Sequence, residues 1–219
     1  MKTFLIIVTL ICASQTLLAA NSSRPRGTTA SWSLLYGYSQ NVNNQNYKPG
    51  GAAYKLQLGT RWDNNIESNF FARYTSQADD ITYSSIDGKI KRNVLTGGVQ
   101  FGYWFFSILK LHAGYAFHIT SNDVSGSYSS SQVSTINSNY GLANKTTKGL
   151  FAGADLALLQ GTSFQLFANY DYYHINHADA HDWEGMLGIR FYPGPSSGGS
   201  SSSKSLFTRL FDWMLTPSK

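Results

Sequence analysis

Cysteine, charge and long apolar runs are what this sequence has least of. Its one cysteine, Cys12, falls within "KTFLIIVTLICASQTLLAA", residues 2–20. Basic Lys2, an apolar run and a small-residue end are the layout of a secretory signal peptide over residues 1–20, with cleavage after Ala20. The exported chain would then have no cysteine, which excludes a disulfide framework. No later apolar run approaches the eighteen residues that a spanning helix needs, so no transmembrane helix is expected. Charged residues make up 13% of the 219, about half the share usual in soluble domains. The formal net charge of +5 comes without a basic cluster or a stacking motif, so nucleic acid is not an expected partner. A soluble β-protein relies on a well-charged surface to stay dispersed, and this chain does not have one.

Aromatic residues, by contrast, reach 15%, with 14 Tyr, 13 Phe and 5 Trp. They sit in a pattern. In "KLHAGYAFHI", Leu111, Ala113, Tyr115, Phe117 and Ile119 alternate with Lys110, His112, Gly114, Ala116 and His118. Period-two alternation marks a β-strand with two unlike faces. Eight such segments of about ten residues follow one another from Ala30 to Tyr192, the length a tilted strand needs to cross a bilayer. Connections after the second, fourth and sixth segments are short, at Asp63, Trp104 and Leu159. Those after the first, third, fifth and seventh are longer, and the one from Ser121 to Thr146 is almost wholly Ser, Asn, Thr, Gly and Tyr.

Trp32, Trp62, Tyr103, Trp104, Phe164 and Phe191 fall at the short-turn ends; Tyr38, Tyr54, Tyr74, Phe117, Tyr172 and Trp183 fall at the long-loop ends. Two aromatic belts around an aliphatic middle suit two headgroup layers, and a soluble sandwich gives no reason for them; a soluble lipocalin-like barrel is the lesser alternative, disfavoured by the thin charge and the belts. The expected fold is therefore all-β: an eight-stranded antiparallel up-and-down transmembrane β-barrel over residues 21–192. Its apolar face meets lipid, and every backbone polar group is paired inside the closed sheet.

A Pro, Gly and Ser linker over 193–203 follows. In 204–219, Phe207, Leu210, Phe211 and Met214 share one helical face. A short amphipathic periplasmic helix is expected there, either on the inner leaflet, as a hook for a periplasmic partner, or packed on the barrel's own rim.

Signal peptide, eight alternating strands, three tight turns, four larger loops and the closing "GMLGIRFY" resemble the small OmpA/OmpX/OmpW-type outer-membrane barrels. That resemblance covers about Thr28 to Tyr192 and implies the cell outer membrane of a Gram-negative bacterium. Outer-membrane lipid and the barrel-assembly machinery, which would read the final strand, are the partners it implies.

The candidate site is the bore. Strand parity turns Lys55, Arg61, Arg73, Lys110 and Arg190 inward with Glu67, Asp155, Asp171 and Glu184. Five cations and four anions in so narrow an interior must pair, because an isolated buried charge is very unfavourable. An eight-stranded barrel is just wide enough for side chains to fill. A polar plug is therefore expected, and with it a structural or surface-interaction role carried by the loops, above all Ser121 to Thr146. A narrow pore for ions or small solutes past the same residues is the alternative.

A lipid-modifying enzyme is the third reading. "YYHINHAD" resembles the His-x-Ser-Asn stretch of lipid A deacylases, with His174 as the base. Asn176 stands where the nucleophilic Ser belongs, so no catalysis is expected. His174, His177 and His181, with Asp179, are candidate ligands for Zn²⁺ or Cu²⁺. Their loop spacing fixes no coordination geometry, so neither a metal nor another cofactor is expected.

Overall fold

The computed structural model describes residues 29–42, 48–62, 65–105, 108–140, 142, 144–161, 164–175 and 180–192. The expected signal peptide with Cys12, the linker, the C-terminal helix, and His177 and Asp179 lie outside the described residues. Eight strands follow in chain order: β1 (Thr29–Val42), β2 (Gly50–Arg61), β3 (Ile66–Tyr83), β4 (Ile86–Phe105), β5 (Leu109–Gly126), β6 (Lys145–Gln160), β7 (Phe164–Ile175) and β8 (Ala180–Phe191). One helix, α1 (Ser130–Asn139), lies between β5 and β6.

Each strand pairs antiparallel with the next, and β1 pairs with β8 from Trp32↔Phe191 to Val42↔His181, which closes the barrel. Closure leaves no open sheet edge in the hydrocarbon, where an unpaired backbone group would be strongly unfavourable. Among the described residues no helix is long and apolar enough to cross a membrane.

The wall is inverted relative to a water-soluble protein. Phe70 is 71% exposed, Leu150 66% and Leu187 60%, while Lys55, Glu67, Asp155 and Arg190 are buried. Two rows of outward aromatic side chains bracket the aliphatic band. Trp62, Tyr103, Phe105 and Phe164 lie at the short-turn end, and Tyr38, Tyr54, Tyr74, Phe117, Tyr172 and Trp183 at the other. Inside, large side chains sit over glycines of the neighbouring strand. Phe71 faces Gly98 across β3–β4, and a β-carbon there would come within 2.8 Å of its ring.

Three local features differ from the expectation. The third connection is not a long loop, because β3 and β4 stay paired to Tyr83↔Ile86 and turn through Ser84 and Ser85 alone. Both serines have positive φ, 52° and 61°, as a two-residue hairpin turn that matches strand twist requires. Ile81, Ile90 and Val94 keep the period-two alternation going on one face through a polar stretch.

The 121–146 connection is likewise not all loop. β5 runs on to Gly126, opposite Gly88, and α1 follows. Ser129 caps that helix: its hydroxyl accepts from the Gln132 amide at 3.4 Å, and the Gln132 side-chain carbonyl accepts from the Ser129 amide at 2.8 Å. This reciprocal pair is a capping box. Ile136 of α1 packs with Ile81, Ile90 and Leu142 into a small buried cluster, flanked by Tyr83, Val124, Tyr128 and Tyr140.

Thirdly, Trp104 is not in a belt. It is 1% exposed, because β4 continues to Phe105 and strand parity turns Trp104 into the bore with Gly102 and Gln100.

Candidate functional site: the luminal charge network

Near the short turns, Glu67 and Asp155 are bridged by two cations. Lys110 Nζ lies 3.1 Å from Glu67 Oε1 and 2.7 Å from Asp155 Oδ2. Arg190 Nη2 lies 2.6 Å from Asp155 Oδ2, and its Nε 3.6 Å from Glu67 Oε1. Neutral donors complete the carboxylates' coordination. Trp104 Nε1 donates to Glu67 at 2.7 Å, Asn69 to Glu67 at 2.8 Å and Asn169 to Asp155 at 2.8 Å. The Trp104 ring also receives the Arg61 and Arg190 guanidiniums at 4.9 Å and 5.2 Å. Arg61, half-buried at the end of β2, thus meets an aromatic face in the bore.

At mid-height, Lys55 Nζ lies 2.6 Å from Asp171 Oδ2 and 4.5 Å from the centre of the Phe71 ring. His112 Nε2 lies 2.6 Å from Asp171 Oδ1, and the Tyr173 hydroxyl donates to Asp171 at 3.2 Å. Phe71, Phe151 and Tyr173 form an aromatic box around the ammonium.

Toward the long loops, Arg73 pairs with Glu184 through its Nε and with Asp182 at 3.2 Å. Arg92 meets Asp182 at 3.1 Å, and Asn41 donates to Asp182 at 2.7 Å. Thr96 links Arg73, at 3.1 Å, to His118 Nδ1, at 2.9 Å.

Lys55, Glu67, Arg73, Lys110, Asp155, Asp171, Glu184 and Arg190 are all buried in this bore. Sequence reasoning missed Asp182, Arg92 and the luminal role of Trp104. Asp182 has the parity of Glu184 and was readable from it. Arg92 lies in the segment read as loop, so its parity had no strand to refer to. With these two, the buried carboxylates and the buried Lys and Arg among the described residues number five each.

A family model described as Pom, Protochlamydia outer membrane protein, matches residues 64–194. The chain belongs to this family. It is an outer-membrane β-barrel protein, seated in the lipid of a Gram-negative outer membrane.

Three solved structures are similar to this Pom-family chain. Neisserial surface protein A is 16% identical with a TM-score of 0.47, over 76% of this chain and 99% of that one. The attachment invasion locus protein Ail of Yersinia pestis, in complex with the heparin analogue sucrose octasulfate, is 16% identical with a TM-score of 0.42, over 76% and 99%. OprG of Pseudomonas aeruginosa is 11% identical with a TM-score of 0.47, over 78% and 99%. No curated protein matches the Pom-family chain.

Of the three expected histidine candidates in this Pom-family protein, two are described. His174 and His181 stand opposite each other on β7 and β8, with Nδ1 atoms 3.2 Å apart.

Proposed function

We propose that the protein is an outer-membrane anchor whose bore is closed by its own side chains and whose long-loop side is a surface for partner contact. One observation carries the reading: most of the luminal ion pairs join strands that are not neighbours in the wall. Lys55–Asp171 connects β2 to β7, Arg73–Glu184 connects β3 to β8, Lys110–Glu67 connects β5 to β3, and Arg190–Asp155 connects β8 to β6. Side chains that span the bore obstruct it, and the fully buried charges balance, with half-buried Arg61 set against the Trp104 ring at the short-turn end.

The surface role would fall to the extension of β3, β4 and β5 with α1, whose buried cluster gives it a packed interior of its own. The barrel-assembly machinery would read β8. Residues 1–20 would direct export, and 193–203 would tether the helix at 204–219 to the periplasmic face or a periplasmic partner. No catalysis is assigned, since His174 Nδ1 faces a second imidazole and not a hydroxyl.

A second reading, a narrow ion path, is favoured by buried polar atoms without a partner along the same bore. They include Gln57 Oε1, Gln100 Nε2, His112 Nδ1, His118 Nε2 and Glu184 Oε2. Such atoms call for internal water, and a connected file of water could carry ions. Single-channel recording of the refolded protein in a planar bilayer separates the two. A silent bilayer supports the anchor. Steady, reproducible steps, altered by Arg73→Met or Lys110→Met, would overturn it in favour of the pore.

A further inference from the structure

The pairing of His174 with His181 is set by strand register, not by the spacing of histidines in the last loop. Along β7, Asp171 and Tyr173 are buried while Tyr172 and His174 are exposed; along β8, Asp182 and Glu184 are buried while Trp183 is exposed and His181 half-buried. Both imidazoles therefore project from the outer wall, at the long-loop rim. Their ring centroids are 5.1 Å apart with planes 28° from parallel, and their Nδ1 atoms 3.2 Å apart. Tyr172 lies against the His181 ring at 5.2 Å and 24°, and the His181 carbonyl accepts from Asn41 at 3.4 Å. One member of the pair is thus held from both sides.

Two nitrogens bound to one divalent ion at about 2.0–2.1 Å stand about 2.9–3.4 Å apart for angles from square to tetrahedral. The observed separation falls in that range. We propose that His174 and His181 chelate a borderline divalent cation on the outer rim of the barrel. Cu²⁺, Ni²⁺ and Zn²⁺ are the ions that favour imidazole, whereas Ca²⁺ and Mg²⁺ need oxygen donors that this pair does not supply. Two protein ligands leave the remaining positions open to water or to an external oxygen donor. The luminal histidines are engaged elsewhere: His112 on Asp171 and His118 on Thr96.

The test is titration of the untagged, refolded protein with Cu²⁺ in detergent micelles, followed by electron paramagnetic resonance. The expected result is one tightly bound ion per barrel with a two-nitrogen superhyperfine pattern. His174→Gln and His181→Gln should each weaken binding about a hundredfold, since either change leaves one imidazole without its chelating partner. His177→Gln should keep the pattern. Heat-modifiable migration on a gel shows that each variant folds, and both rings lie outside the bore. Binding by His174→Gln equal to that of the parent protein, or loss of the signal in His177→Gln alone, would overturn the proposal. So would a parent protein that takes up no Cu²⁺, which would leave the pair as a proton-sharing hydrogen bond.

Discussion

Replacing Asp171 by Asn and, separately, Lys55 by Met probes the mid-bore pair from its two ends, and the structure makes the two changes unequal. Without Lys55, Asp171 keeps three donors, His112 Nε2 at 2.6 Å, the Tyr173 hydroxyl at 3.2 Å and Asn169 at 3.2 Å. Without the Asp171 carboxylate, Lys55 keeps the Tyr173 hydroxyl at 3.3 Å and the faces of the aromatic box but loses its ion-pair partner. Removing one partner of a buried pair destabilises by about 3–5 kcal/mol when the other charge is stranded. The Asp171→Asn change should fall in that range. Lys55→Met should fall near the lower cost of a satisfied but rearranged site, about 1–3 kcal/mol. The double variant should be no less stable than Asp171→Asn alone, because the stranded ammonium is gone. Urea unfolding in lipid vesicles, followed by tryptophan fluorescence, measures all three. A Lys55→Met protein less stable than Asp171→Asn, or simple additivity in the double variant, would refute the reasoning.

The cap, the small cluster and the glycine under Phe71 give three further expectations. Ser129→Ala removes the hydroxyl that accepts from Gln132 and should cost the helix about 1 kcal/mol, seen as faster amide exchange over 130–139 with the barrel unchanged. Ile136→Ala opens a cavity among Ile81, Ile90 and Leu142, a loss of about 2–5 kcal/mol; exchange should rise in 81–90 and 130–142 and not in β6–β8. Gly98→Ala places a methyl 2.5 Å from the Tyr115 carbonyl oxygen and 2.8 Å from the Phe71 ring and should destabilise the barrel by about 1–3 kcal/mol; Phe71→Leu in the same chain should recover only the part owed to the ring.

How far the sequence could be read depends on which physical signal each feature leaves. Period-two alternation is strong wherever one face meets lipid, so the eight walls of the barrel and the inward side of residues such as Lys55 and Arg190 were legible. It weakens once strands leave the membrane, because neither face must then be apolar. That is why 76–94 looked like loop, although Ile81, Ile90 and Val94 mark its inner face. Arg92 was lost with it. Helix α1 was hidden by composition, since Ser, Thr and Asn dominate it; Ser129 and Gln132 carried the only local signal, the capping box. Trp104 was misplaced for a different reason. Tryptophan favours headgroup layers, but the indole N–H can equally serve a buried carboxylate, and here it serves Glu67. No parity rule tells which carboxylate pairs with which cation across a bore; those partners follow only from how the eight walls close.

The same contrast bears on the long-loop side. A tilted strand needs about 9–11 residues to cross the hydrocarbon, whereas β3 has 18 and β4 has 20. Some eight residues of each therefore run beyond it. At about 3.3 Å per residue and a tilt near 45°, the hairpin tip stands on the order of 20 Å above the apolar layer. The headgroup region takes up only about 5–8 Å of that on each side. Tyr128 secures the overhang, since its hydroxyl donates to the Ile86 carbonyl at 2.9 Å beside the Ser84–Ser85 turn. An idle loop would gain nothing from buried isoleucines, a capped helix and a two-serine turn held at positive φ. A rigid projection that clears the headgroups is what the proposed contact with an external partner requires.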